Sequence, residues 1–76
     1  MPHIEIKCYP GRTEEQKKRC AGQIAEVVAD TLGCSLSSVS VAIKEIPEAE
    51  WKEKVWDVDI VPDMENLYMK PGYSCD

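Results

Sequence analysis

Residues 4–44, IEIKCYPGRTEEQKKRCAGQIAEVVADTLGCSLSSVSVAIK, decide the fold of this 76-residue chain. Ile4-Glu5-Ile6-Lys7-Cys8 alternates apolar and polar side chains, which is the period of a strand. Pro10-Gly11 punctuates its end. Thr13-Glu14-Glu15-Gln16 spells a capping box, in which the Thr13 hydroxyl accepts from the Gln16 amide and the Gln16 side chain reaches back. Glu14 and Glu15 suit the positive end of a helix dipole. A helix is predicted over Glu14–Leu32, with Cys20, Ile24, Val27, Val28 and Leu32 on its apolar face. Gly33 is placed to stop it in a left-handed conformation. After a polar connection over 35–38, Val39-Ser40-Val41-Ala42-Ile43-Lys44 alternates again. Strand, helix and strand in so short a unit imply parallel strands joined by a right-handed crossover.

Working outward, Pro47 closes this unit. Trp56-Asp57-Val58-Asp59-Ile60 alternates like a short third strand. Pro62 suits the first turn of a final helix, with Met64, Leu67 and Tyr68 as its apolar positions. Pro71-Gly72 turns the chain. No linker or low-complexity stretch interrupts it, so one α+β domain over 1–76 is expected. A single helix layer covers one face of a small sheet. The other face, with Tyr9, Ala42 and Ile46, needs a second copy or the C-terminal segment.

The net charge of -5, from 14 acidic and 9 basic residues, argues against nucleic acid and anionic membranes as partners. Neither a signal peptide nor a long apolar run is seen, and a cytoplasmic protein is expected. The four cysteines show no CxxC spacing and read as free thiols in a reducing compartment. Cys8 and Cys20 stand where small apolar residues are expected. With His3 as the single histidine, no metal site and no cofactor are expected.

Pro2 directly follows Met1. A small second residue permits removal of the initiator methionine, which leaves a secondary amine at the N-terminus. Such a nitrogen takes and returns protons as a general base or acid. The plain alternative is a proline that merely opens an edge strand.

Three stretches together resemble the 4-oxalocrotonate tautomerase superfamily. They are Met1-Pro2-His3-Ile4, the run from Gly11 to Lys17, and Ser37-Ser38-Val39-Ser40-Val41. The tail, with Pro47-Glu48-Ala49-Glu50-Trp51, the run from Trp56 to Pro62, and Lys70-Pro71-Gly72-Tyr73-Ser74, is similar to its bacterial PptA subgroup. The resemblance implies a tautomerase that interconverts enol and keto forms of 2-oxo acids, without a cofactor. Pro2 matches the family's catalytic proline. Arg12 matches an arginine that handles the substrate carboxylate, and Trp51 an aromatic residue at the pocket. Ser40 stands where the family carries a second arginine, so a monoacid such as an aryl or alkyl pyruvate enol is a more natural substrate than a muconate. Ser40 and His3 are further substrate-binding candidates. For His3 the ordinary alternative is a hydrogen-bonded structural role. A homodimer is expected, with a hexamer as the alternative. Two other functional readings stay open: a non-catalytic oligomeric binding module, and a proline-dependent hydratase or dehalogenase.

Overall fold

The computed structural model describes all residues 1–76 and divides into two compact units, Met1–Glu45 and Ile46–Asp76. The first holds strand β1 (His3–Cys8), helix α1 (Glu14–Leu32), a single tight turn (Leu36–Ser38) and strand β2 (Ser40–Glu45). β1 and β2 pair in parallel, with His3 opposite Ser40, Ile6 opposite Ile43 and Cys8 opposite Glu45. This is the expected β-α-β unit, and β2 begins one residue later than its alternation suggests.

The start and stop of α1 match the sequence signals. The Gln16 amide donates to Thr13 Oγ1 at 3.1 Å, and the Thr13 amide donates to Gln16 Oε1 at 2.8 Å. Gly33 closes the helix at φ 70°, a left-handed conformation that glycine adopts without a Cβ clash. Its N–H bonds the carbonyl of Ala29.

The buried face of α1 differs from expectation. Ala21, Ile24, Ala25, Val28 and Ala29 are half-buried, while Cys20 is exposed and Val27 and Leu32 keep 60% and 69% of their surface. Two adjacent stripes compete on this helix. Small alanines let the backbone approach a two-stranded sheet closely, so Ala21, Ala25 and Ala29 share the inward side with Ile24 and Val28, and Cys20, Val27 and Leu32 are left on the flank. No residue of α1 is fully buried.

Pleating sorts the sheet into two faces. Ile4, Ile6, Cys8, Val41, Ile43 and Glu45 share the face toward α1, where Lys17 reaches Glu45 at 3.5 Å. His3, Glu5, Lys7, Ser40, Ala42 and Lys44 share the other, where Lys44 pairs with Glu5 at 2.8 Å. The polar set thus lies on the face that α1 leaves uncovered.

The second unit corrects the sequence reading. Residues Lys52–Ile60 form no strand; they form a wide helix with i→i+5 hydrogen bonds, capped by the Val61 amide donating to Trp56 O. Short turns, Glu48–Glu50 and Val61–Asn66, flank it. Pro62 opens the latter turn as expected, but the helix ends before Leu67 and Tyr68. Alternation would bury Trp56, Val58 and Ile60 together. Instead Val55 and Trp56 are buried side by side, Trp51 and Ile60 are half-buried, and Val58 is exposed. Steps of four and five residues match a helix with more than four residues per turn. Lys52 accordingly meets Asp57, five residues on, at 3.1 Å. No helix of the chain is long and apolar enough to cross a membrane.

Candidate active site

Pro2 precedes β1, and its placement is set by the sheet. The Ser40 amide donates to the Pro2 carbonyl at 3.2 Å, which extends the ladder one step past His3. A proline fits here because its missing donor is not required at a strand's first position. Its ring is half-buried, whereas Met1 is fully exposed. Removing Met1 therefore takes away no packing and uncovers the Pro2 nitrogen.

Two other candidates gather at the same end of the sheet. His3 Nδ1 and Ser40 Oγ lie 2.6 Å apart, joined across the paired strands. Either atom donates, according to the histidine tautomer. Pro2, His3 and Ser40 thus form one polar corner at the N-terminal ends of β1 and β2. It carries two groups able to hydrogen-bond an oxygen, and a proline nitrogen that would become a basic amine only on removal of Met1.

Arg12 lies beyond the opposite end of β1. Its Nη1 donates to the Tyr9 carbonyl at 3.1 Å, which uses one of the five guanidinium donors and aims the group. With Ile6, Cys8, Gln16, Lys17 and Ile43 it lines a hollow of about 190 Å³. From His3 to Cys8 the strand rises about 17 Å, at about 3.3 Å per residue. One copy of the chain therefore does not bring Arg12 to Pro2.

Trp51 belongs to the second unit. Its indole N–H donates to the Tyr73 hydroxyl at 3.2 Å. Trp56 donates in turn to Asp76 Oδ1 at 3.3 Å, and its ring lies 5.5 Å from that of Tyr73. The roles of Tyr73 and Asp76 as anchors were not legible beforehand. The signal was an aromatic residue just after the Pro71-Gly72 turn, and two tryptophans whose N–H groups require acceptors.

No three of the His, Cys, Asp and Glu side chains come together as metal ligands, and all four cysteines are free thiols. Of the two placed at small apolar positions, Cys8 is half-buried and Cys20 exposed.

A parallel β-α-β unit with a proline at its leading strand defines a class of small tautomerases, and the comparisons with known proteins agree. The model of the family described as "Tautomerase enzyme" matches residues 2–52. Tautomerase PptA of Enterobacter sp. (strain 638) is 45% identical over 75 residues, 97% of this chain and 99% of the relative. Tautomerase PptA of Escherichia coli (strain SMS-3-5 / SECEC) is 44% identical over the same shares. Among solved structures, apo unFused 4-OT is similar with a TM-score of 0.63 and 37% identity, over 64% of this chain and 80% of that one. YwhB, a homologue of 4-oxalocrotonate tautomerase, is similar with a TM-score of 0.60 and 34% identity, over 62% and 77%. The chain belongs to the tautomerase family, within the 4-oxalocrotonate tautomerase superfamily. It is thus an enzyme of the isomerase class, and the reading as a non-catalytic binding module falls away.

Proposed function

We propose that this tautomerase interconverts the enol and keto forms of 2-oxo acids, with arylpyruvates such as phenylpyruvate as its substrate class, and that Pro2 is the general base and acid. The observation that carries this reading is the half-buried Pro2 held at the sheet's polar corner by the Ser40 amide, behind a fully exposed Met1. Once Met1 is removed, the secondary amine takes the proton from the enol hydroxyl. The oxygen's electron pair forms the C=O bond, and the C=C pair moves to C3. The same nitrogen delivers the proton there, so atoms and electrons balance without a cofactor. The amine has to be unprotonated for the first step.

Arg12 supplies the carboxylate anchor, since its planar fork accommodates both oxygens. Ser40, where the family has a second arginine, gives a neutral hydrogen bond in place of a second cation, which favours a monoacid. His3, hydrogen-bonded to Ser40, is a further candidate donor. Trp51 offers an aromatic face to the substrate ring. Because β1 separates Pro2 from Arg12 within one copy, the active form is read as a homodimer in which each copy completes the other's site. Four free thiols suit a reducing compartment, which is compatible with the proposed cytoplasmic location.

The test joins mass and rate. Intact mass of the purified chain should show loss of Met1. Phenylpyruvate enol–keto exchange should slow by about 10²–10⁴-fold when Pro2 is replaced by Ala or when a residue is kept ahead of it, the range for losing a general base. Full turnover in the extended form would remove Pro2 as the base.

A further inference from the structure

We propose that Ser40 donates a hydrogen bond to the C2 oxygen of the substrate as that oxygen takes up charge, and that His3 is the positioning residue that turns the Ser40 hydroxyl toward it. The inference rests on the proposed tautomerase mechanism at Pro2.

The corner at the N-terminal ends of β1 and β2 supplies the geometry, and it lies wholly within the first compact unit. The Ser40 amide donates to the Pro2 carbonyl at 3.2 Å, which sets Ser40 beside Pro2. That amide is thereby engaged, so a substrate oxygen at this corner draws its donor from a side chain. Strand register puts His3 opposite Ser40, and His3 Nδ1 lies 2.6 Å from Ser40 Oγ. Further along the same face, Lys44 is paired with Glu5 at 2.8 Å. His3 and Ser40 are both exposed, so the pair is open to a ligand.

A hydroxyl has one proton and two lone pairs, and a neutral imidazole carries its proton on either nitrogen. The contact between His3 and Ser40 therefore has two forms. When Nδ1 accepts, the ring holds the Ser40 proton and the lone pairs of Oγ face the substrate, which repels a charged oxygen. When Nδ1 carries the proton, the ring donates and the Ser40 proton is left for the substrate. In the proposed reaction Pro2 takes the enol proton, and the C2 oxygen bears negative charge until the electron pair settles at C3. That oxygen selects the second form. A donor aimed before the charge develops stabilises it without turning during the reaction. Ser40 keeps its proton throughout, because the transferred proton travels by way of Pro2.

Ser40→Ala should lower kcat for the phenylpyruvate enol by several-fold to about tenfold, the range of one neutral hydrogen bond, with little change in KM. His3→Leu should lower kcat equally, and the double variant no further, since each removes the same interaction. His3→Asn, whose amide donates from about the place of Nδ1, should restore most of the wild-type kcat. A second measurement needs no turnover. His3 is the single histidine, so its ring nitrogens are unambiguous in nitrogen NMR. Phenylglyoxylate is a 2-oxo acid without hydrogen on C3, so it binds and does not react. At saturation it should move the Nδ1 signal toward its protonated position in wild type and in Pro2→Ala, and not in Ser40→Ala. An unmoved Nδ1 signal in the wild-type complex, or a wild-type kcat in Ser40→Ala, overturns the inference. A loss in His3→Leu far beyond that in Ser40→Ala also overturns it, because His3 then acts on the substrate or on the fold and not through Ser40. Full turnover in Pro2→Ala removes Pro2 as the base, while the Nδ1 signal still reads Ser40. Failure of phenylglyoxylate to bind overturns the proposed function and this inference together.

Discussion

At the scale of single residues, the division of labour between Pro2 and Arg12 follows from their chemistry. In the proposed mechanism Pro2 would supply a nitrogen that moves a proton, and Arg12 a permanent charge that holds an anion. Arg12 is one of two arginines, and Arg19 lies on α1. With Ser40 in place of a second cation, the proposed reading makes the carboxylate rely on Arg12. Arg12→Ala should therefore weaken handling of 2-oxo acids by about ten- to a hundredfold, since a hydrogen bond to a charged group contributes about 1.5–3 kcal/mol. KM rises alone if only the ground state is held, and kcat falls too if the enolate-like state is held as well. An ester of the same acid is the control. If wild type and Arg12→Ala discriminate equally between acid and ester, Arg12 is not the anchor.

At the scale of elements, α1 is the best-specified part of the molecule. Its capping box ties Thr13 and Gln16 reciprocally. Thr13→Ala should cost about 1 kcal/mol of stability, read as a lower urea midpoint at unchanged slope. Glu14 adds a pH-dependent part. Its hydrogen bond with Lys17, and then the charge of Lys17, lower its pKa from the ordinary 4.5. A depressed carboxylate stabilises the fold above its unfolded pKa, and that stabilisation is lost as pH falls through the folded value. The melting-temperature difference between wild type and Glu14→Gln should therefore be present at neutral pH and fade as pH falls below the ordinary 4.5 through the lowered folded value. A difference that persists there would mean that Glu14 acts through something other than its charge. Local signals of this kind made β1, α1 and β2 legible in the sequence. The helix's buried face was less so, because two apolar stripes one residue apart satisfy the same period. The wide helix over Lys52–Ile60 was not legible. Five alternating residues fit a strand, and its burial at four- and five-residue steps comes from Val55 and Trp56 packing together. Of the site, Pro2 and Arg12 stood out by residue type and resemblance. The His3–Ser40 bond required the strand register, which no local pattern fixes, and the Tyr73 tie joins residues 22 positions apart.

For the whole molecule, the decisive fact is that Pro2 and Arg12 flank opposite ends of β1. In the proposed homodimer, a two-fold axis across the strands would reverse their direction and bring the Arg12 end of one copy to the Pro2 end of the other. The exposed Val27 and Leu32 on α1 show how little one copy buries by itself. Sedimentation at micromolar concentration should give the dimer mass. A sharper test uses dimers assembled from two differently tagged copies. When one copy carries Pro2→Ala and the other Arg12→Ala, a site shared between copies leaves one site intact and one doubly damaged, so about half of wild-type activity returns. When one copy carries both substitutions and the other is wild type, every shared site is damaged once and activity stays low. A site confined to one copy reverses both results: the first dimer is nearly inactive and the second keeps about half. The two arrangements exchange the active and inactive dimers, so neither misfolding nor incomplete mixing imitates the expected pattern. That reversed outcome would also require Arg12 to act on substrate some way from Pro2, and the hollow it shares with Lys17 would then become the place to look for the carboxylate.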